Sequence, residues 1–296
     1  MLHTLAVGGA AQLVPMAHGA GQAGDASPVP TGWDGLARHY DLSADIVNLE
    51  NAYYGIMARP VMDEFKRNIE YLNRHNSVYM RRDFDRPGGE AIRALLAQHA
   101  GVQTSELAVT RGATESLQNL IGNYRPLKAG DAVMYGNLDY GSMQYAMDAL
   151  AQQRGASVVK VTIPEPATAQ RVIDTYEGAL RSHPRTRLLL LTHVSHRTGL
   201  VIPVREIVRM ARQRNVDVIV DIAQSWGQLA SGFPTWKPTS SAPTCTSGSA
   251  LRWAPAFSTS GSRACRTSAS TWGIAIIRPT TSARACCRAR STRPPS

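Results

Sequence analysis

Residues 111–116 (Arg-Gly-Ala-Thr-Glu-Ser) form a segment that could bind a phosphate group. Small residues let a backbone approach an anion closely, and the unpaired N–H groups at the start of a helix favour negative charge. Ala113 and Thr114 would stand at that start, where Thr114 is also a candidate N-cap. A plain strand-to-helix turn has the same composition, so this segment alone leaves both interpretations open.

Two further segments carry titratable side chains. Asp221 ends an apolar run, where a partly desolvated carboxylate needs a cationic or hydrogen-bonding partner. It faces either a ligand or, as a turn or N-cap residue, its own backbone. Residues 193–199 (His-Val-Ser-His-Arg-Thr-Gly) place two imidazoles, a hydroxyl and a guanidinium in one loop. The two histidines lack a clear third ligand, so the sequence predicts no metal site.

These segments lie between alternating helical and strand patterns. The patterns predict helices at 59–73, 89–100, 114–121, 142–154, 169–182 and 204–214, and strands at 107–110, 132–135, 157–163, 188–192 and 216–221. Such alternation is typical of an α/β fold with a mostly parallel sheet. Ligands of these sheets bind beyond the carboxyl ends of the strands. The loops that begin at Arg111, Gly136, His193 and Ile222 are therefore the candidate site.

Charge and cysteine are concentrated in residues 230–296. This region holds nine of the 32 Lys and Arg residues, no Asp or Glu, and all four cysteines. The other residues hold 23 basic and 22 acidic side chains, so the net charge of +10 says little about partners of the main body. No Cys-x-x-Cys pair occurs, which disfavours a zinc site, and no apolar run reaches the roughly 18 residues of a membrane-spanning helix.

Residues 1–30 form a separate zone that is rich in small and apolar residues. It resembles the hydrophobic and cleavage parts of a secretory signal without a basic leader, or else a disordered N-terminal arm. The sequence as written predicts a cytoplasmic protein. A basic leader lost from upstream, as in a twin-arginine signal, would instead predict a periplasmic one.

Taken in order, the motifs resemble the class V aminotransferase family of pyridoxal-phosphate (PLP) enzymes, and within it the isopenicillin-N-epimerase-like branch. The resemblance covers about residues 40–229. It includes the opening 48–55 (Asn-Leu-Glu-Asn-Ala-Tyr-Tyr-Gly), the turn 111–116, residues 138–141 (Leu-Asp-Tyr-Gly), the loop 193–199 and residues 221–224 (Asp-Ile-Ala-Gln). It implies the three-layer, mostly parallel large domain of fold-type I PLP enzymes, with the C-terminal small domain missing or scrambled. It also implies a homodimer, an amino acid substrate, and no nucleic acid or membrane partner.

The resemblance also implies roles for individual residues. The cofactor-binding set is Ala113, Thr114, Tyr140, His196, Asp221 and Gln224. Ala113 and Thr114 would hold the phosphate, and Tyr140 would stack on the pyridine ring. Asp221 would keep the ring nitrogen protonated, and Gln224 would bond the ring hydroxyl oxygen. The family often has Asn at the position of His196. Residues that would meet substrate or a neighbouring subunit are Asn51, Tyr53, Tyr54, Arg81 and Arg82.

The Schiff-base lysine that the family needs is missing from this sequence. It is expected roughly 25 residues after the Asp, where this chain has Thr246. A shifted reading frame combines the third base of each codon with the first two bases of the next. From Pro234 to Leu251 such a frame can encode Asp-Leu-Glu-Ala-Asp-Phe-Val-Gly-Ala-Asn-Leu-His-Lys-Trp-Ile-Gly-Ala. Its lysine codon straddles Thr246 and Ser247. We therefore expect a frameshift near residues 229–231.

Three units follow from these patterns: a signal-like or disordered arm (1–30), an incomplete PLP-binding domain (31–229) and an out-of-frame, disordered tail (230–296). A nucleic-acid-binding tail is the competing interpretation, but the tail has no RNA-binding signature or zinc spacing. Without the lysine, the chain as written is expected to be inactive.

The reaction stays open at this point among epimerisation, transamination and lyase or desulfurase chemistry. The opening at 51–55 favours the epimerase-like branch. A cysteine desulfurase needs a mobile catalytic Cys, and residues 1–229 contain none. A protein of another class, a non-catalytic remnant of the PLP fold that only binds, is the alternative to an enzyme.

Overall fold

The computed structural model describes residues 35–47, 55–226, 228–229, 244–251 and 272–277, with the backbone alone for 36, 85–87, 244–251 and 272–277. The predicted arm (1–30) and three predicted substrate residues, Asn51, Tyr53 and Tyr54, lie outside these ranges. The strands are β1 Leu107–Thr110, β2 Ala132–Gly136, β3 Ser157–Val161, β4 Thr186–Thr192, β5 Asp217–Asp221, β6 Thr244–Leu251 and β7 Trp272–Ile277. The helices are α1 Arg59–Val78, α2 Gly89–Ala100, α3 Ala113–Gly122, α4 Gly141–Arg154, α5 Ala169–Ser182 and α6 Val204–Gln213.

The seven strands form one sheet in the order β1-β7-β6-β5-β4-β2-β3. Strands β2 to β6 run parallel to one another, and β7 is antiparallel to both β1 and β6. Strand β1 therefore points the same way as β5. The predicted α/β fold with a mostly parallel sheet is confirmed.

Alternating residues of the central strands bury opposite faces of the sheet, as the two-residue period of a strand requires. Leu189 and Leu191 pack with residues of α5 and α6 on one face, while Leu188 and Leu190 pack with α3 and α4 on the other. Burial of each such leucine stabilises the fold by about 1.5–3 kcal/mol. The unbroken apolar run of β4 thus results from helices on both faces, which makes three layers.

The segment before the sheet is less buried. Helix α1 has no buried residue and continues into a π-helical stretch at Tyr79–Gly88, which contains Arg81 and Arg82 as exposed side chains. Helix α2 buries Ala97 and Ala100 against Leu107 of β1. None of the helices in the described ranges combines the length and apolarity that crossing a bilayer needs.

Two short parts of the tail, β6 and β7, belong to the sheet. The backbone of β6 pairs with β5 in parallel, and β7 lies between β6 and β1. The open hydrogen-bonding edges of β5 and β1 provide pairing sites that need only backbone groups. Within 230–296 the structure describes only the backbone of these two strands, and the interpretation of this region as an out-of-frame, disordered tail stays a prediction.

Candidate functional site

The loops after β1, β2, β4 and β5 meet at the carboxyl edge of the sheet, because these strands point the same way. Helix α3 follows β1 and packs against α4 and β5. The sheet thus brings the predicted phosphate turn, Tyr140, the 193–199 loop and Asp221 to the same edge. This agrees with the rule for open parallel sheets.

Side chains in and beside the turn after β1 hydrogen-bond to one another and to its backbone. The Thr110 hydroxyl donates to the Gly112 carbonyl at 3.0 Å, so the Ser116 hydroxyl, 2.6 Å away, donates to Thr110. The Glu115 carboxylate accepts the Arg111 backbone N–H at 2.8 Å and also pairs with the Arg111 guanidinium, which lowers the Glu115 pKa. None of these bonds uses the backbone N–H of Ala113 or Thr114 in the first turn of α3.

The start of α3 corrects one prediction. The N-cap is Gly112 and not Thr114, and the helix already begins at Ala113. Gly112 has no side chain to cap the helix, so the first N–H groups keep their capacity to bind an anion. Ala113 is half-buried and Thr114 is exposed in this first turn. Both stand where a bound phosphate would meet backbone N–H groups.

Tyr140 and His196 come together from different loops. Tyr140 is the residue just before α4, and its ring meets the His196 imidazole edge-on, with centroids 5.4 Å apart at 83°. His196 is exposed, whereas Tyr140 is partly buried against the cluster that contains Leu117 of α3. This aromatic pair therefore borders the same side of the sheet as the phosphate turn.

Asp221 ends β5 with a buried side chain, only 5% exposed. One carboxylate oxygen accepts the Ala223 N–H at 2.9 Å, and among the described residues no other donor reaches the carboxylate. Burial raises the pKa of Asp221 to about 6, against the lowering effect of the Ala223 amide. Such a group gains most from a cationic N–H placed against its second oxygen. Gln224 lies half-buried in the turn that follows.

His193 links the two central strands. Its backbone N–H donates to the Asp221 carbonyl at 2.8 Å, and its side chain is buried. Burial lowers the pKa of His193 to about 4, so the imidazole is neutral at pH 7. His193 is therefore a neutral hydrogen-bonding group at this pH.

Asp139, to which the sequence analysis gave no role, is a second buried carboxylate at this edge. It is 3% exposed and accepts the backbone N–H groups of Gly136 at 2.6 Å and Thr192 at 2.7 Å. Burial raises its pKa to about 7, with a smaller contribution from the Asp221 charge and opposed by the bonds from Thr192 and Gly136. In the sequence, the sign of this residue is an acidic side chain between a predicted strand and Tyr140. Its partner Thr192 lies 53 residues away along the chain, so the pairing is not evident from the sequence.

The family model for Aminotransferase class-V matches residues 57–233, which is more than half of the chain. Among curated relatives, isopenicillin N epimerase of Amycolatopsis lactamdurans is 26% identical over 67% of this chain and 50% of its own length. A probable cysteine desulfurase of Vibrio cholerae is 30% identical over 46% of this chain and 33% of its own length. The chain spans about half the length of the isopenicillin N epimerases that it matches.

Solved structures show the same fold. The cysteine desulfurase of Thermococcus onnurineus NA1 has a TM-score of 0.60 at 18% identity, covering 82% of this chain and 56% of that one. The cysteine desulfurase CsdA of Escherichia coli has a TM-score of 0.57 at 19% identity, covering 78% and 53%. The architecture is therefore that of the fold-type I large domain.

Proposed function

The chain belongs to the class-V aminotransferase family, and on that premise we propose that its carboxyl edge binds PLP, in a protein whose intact form acts on an amino acid. The observation that carries this proposal is the buried Asp221, whose only donor among the described residues is the Ala223 amide. A protonated pyridine nitrogen supplies both the charge and the hydrogen that this carboxylate lacks.

The surrounding residues fit the rest of the group. The first turn of α3, with Ala113 and Thr114, would hold the phosphate by backbone N–H groups. Tyr140 would lie against the ring, with His196 beside it, and Gln224 would bond the ring oxygen. Asp221 would hold a proton at the ring nitrogen. When bound, PLP supplies an electron sink that makes the substrate Cα–H acidic.

For the reaction we favour epimerase-like chemistry in the intact protein. Isopenicillin N epimerases of two organisms match over 67% of this chain, a longer span than the cysteine desulfurase relatives match. The desulfurase alternative is favoured by the fold likeness and by the 30% identity to the Vibrio protein. A catalytic cysteine in the restored reading frame after residue 229 would favour the desulfurase.

We further propose that a single nucleotide has been lost near codons 229–231. Residues 230–296 contain no Asp, Glu or Asn, and their one lysine, Lys237, follows Trp236. Codons of these four residue types begin with GA or AA. Where the preceding codon ends in T, the shifted frame reads TGA or TAA, which are two of the three stop codons. The Trp codon ends in G, so Lys237 creates none. The third stop, TAG, needs a Ser or Arg codon that begins with AG. The scarcity of these four residue types in 230–296 is therefore compatible with an open shifted frame.

The register of β6 supports the same proposal. Val220 is paired with Thr246 and Asp221 with Ser247. The lysine of the shifted frame is encoded across these two codons, so it would stand one strand spacing, about 4.8 Å, from the end of β5. In this chain the covalent anchor is absent, and we expect a protein that binds PLP reversibly and does not turn over substrate.

The test measures PLP binding to the full chain by equilibrium dialysis. Asp221→Asn should weaken binding at least about tenfold, which corresponds to ~1.4 kcal/mol. Asp217→Asn is the matched control, because Asp217 lies on the same strand at its other end. Equal effects of the two variants, or no binding by the unmodified chain, would contradict the proposed site.

The proposed frameshift is tested separately. We expect the gene, resequenced across codons 225–260, to show the lost nucleotide, and a variant with one nucleotide inserted near codon 230 to trap PLP on its new lysine after borohydride reduction. The unmodified chain should trap none. A lysine that is not encoded in the shifted frame would refute the frameshift and leave the binding site untouched.

A further inference from the structure

The Asp139 carboxylate joins the ends of two neighbouring strands. Its Oδ2 accepts the N–H of Gly136 at the end of β2, and its Oδ1 accepts the N–H of Thr192 at the end of β4. Both distances, 2.6 and 2.7 Å, lie at or below the short end of the range for N–H···O hydrogen bonds. Asn cannot replace Asp here without loss, because an amide offers one acceptor atom and turns its NH2 group towards the other donor.

The backbone of Asp139 is fixed as well. Its N–H donates to the Gly136 carbonyl at 3.1 Å, which closes a tight turn. Its own carbonyl accepts the Gln144 side chain at 2.7 Å. Tyr140 is the next residue and leads directly into α4. The direction in which the Tyr140 side chain leaves the backbone is therefore set by the bonds of Asp139.

The same carboxylate also acts on the other half of the aromatic pair. Thr192, whose N–H it binds, directly precedes the loop that carries His196. Asp139 is thus connected to Tyr140 by the peptide bond between them, and to the start of the His196 loop by its hydrogen bond to Thr192. These two connections lead to the two rings that meet edge-on at 5.4 Å.

We propose that Asp139 is a positioning residue that sets the Tyr140–His196 pair, and that through Tyr140 it orients the ring of the cofactor. The second part rests on the proposed function, whereas the first concerns the protein alone. The role explains why a carboxylate that is costly to bury is only 3% exposed at this edge of the sheet.

The first test is NMR of the histidine Cε1–H resonances in the full chain without cofactor, with the His196 signal assigned by His196→Gln. Tyr140→Ala removes the ring current on His196 and moves that signal. Asp139→Asn should move it in the same direction. Asp131→Asn is the control. The Asp131 carboxylate also accepts a backbone N–H, that of Lys128 at 2.9 Å, but Asp131 lies just before the first residue of β2, at the end of the strand away from Tyr140. An unmoved His196 signal in Asp139→Asn would overturn the proposal.

The second test compares binding of PLP and of inorganic phosphate. Loss of ring stacking should weaken PLP binding about 2- to 10-fold in Asp139→Asn and leave phosphate binding unchanged. The double variant Asp139→Asn/Tyr140→Ala should bind PLP no more weakly than Tyr140→Ala, because both changes remove the same contact, that of the Tyr140 ring with the cofactor. Additive losses, or equal losses for phosphate, would show that Asp139 does not act through Tyr140.

The two tests separate this inference from the proposed function. If the unmodified chain binds no PLP but Asp139→Asn moves the His196 signal, the cofactor proposal fails and the positioning of the pair stands. Should Asp139→Asn not fold, Gln144→Ala loosens the same turn from the helix side, since it removes the donor to the Asp139 carbonyl. It should move the His196 signal in the same direction by a smaller amount, and an unmoved signal would count against the proposal.

Discussion

Gly136 stands where no side chain fits, and this leads to a sharp prediction. A Cβ added to Gly136 would lie 2.7 Å from the Tyr176 hydroxyl oxygen and 3.5 Å from Asp139 Oδ2. Tyr176 is only 2% exposed and packs within the core formed by α5, α6 and the sheet, so its ring cannot swing aside. Overpacking of this kind costs about 1–3 kcal/mol. We expect Gly136→Ala to destabilise the fold by ~2 kcal/mol.

The hydroxyl oxygen accounts for most of this cost, so its removal should restore the loss. In a Tyr176→Phe background the remaining neighbours of the added Cβ, Asp139 Oδ2 at 3.5 Å and the Tyr176 Cζ at 3.8 Å, are at ordinary contact distances. Gly136→Ala should then cost less than ~1 kcal/mol, which gives a coupling free energy on the order of 1–2 kcal/mol.

The assay is urea-induced unfolding followed by circular dichroism, with the free energy of unfolding compared across the four variants of the cycle. Gly178→Ala is the control, because a Cβ at that position of α5 meets nothing within 4 Å. That substitution should stabilise the protein by about 0.5–1 kcal/mol, as expected for Gly to Ala within a helix. The same cost of Gly136→Ala in both backgrounds would refute the steric explanation.

Two other predictions concern the ends of β5. The Tyr124 hydroxyl donates to Asp217 at 2.7 Å, so Tyr124→Phe should lower the free energy of unfolding by ~1–2 kcal/mol, while Tyr145→Phe, at a 76% exposed ring, should not. Burial raises the pKa of Asp221 to about 6, so the folded chain retains a proton that the unfolded chain releases above about pH 4. Stability relative to Asp221→Asn should therefore fall as the pH rises from 4 to 6, by on the order of 1 kcal/mol per pH unit. A flat difference in pH-dependent urea titrations would contradict this.

The local elements were predictable because each depends on its own residues. The apolar run of β4 and the alternation of helix and strand periods locate the central sheet, and five of the seven strands lie within two residues of their predicted bounds. Helix α1 extends to Val78, five residues beyond its predicted end. This helix buries no residue, so its apolar spacing carries little information on where it stops.

The contacts between loops could not be read from the sequence, because they join residues that are far apart in the chain. Asp139 and Thr192 are one example, and the Tyr140–His196 pair is another. The N-cap was mispredicted for a different reason. Thr114 has the better capping side chain, but Gly112 adopts an extended conformation that starts the helix earlier. The backbone conformation of the turn, and not the capping preference of the threonine side chain, therefore determines where the helix begins.

The order of the strands shows which predicted cofactor contacts precede residue 229. The phosphate turn, the aromatic pair and Asp221 are carried by the loops after β1, β2, β4 and β5, all within the region before residue 229. The register pairs the end of β5 with β6, the strand whose codons in the shifted frame would encode the lysine. On our proposal, a frameshift between β5 and β6 removes the covalent anchor and leaves the noncovalent contacts in place. If so, cofactor affinity can be measured in this chain separately from catalysis.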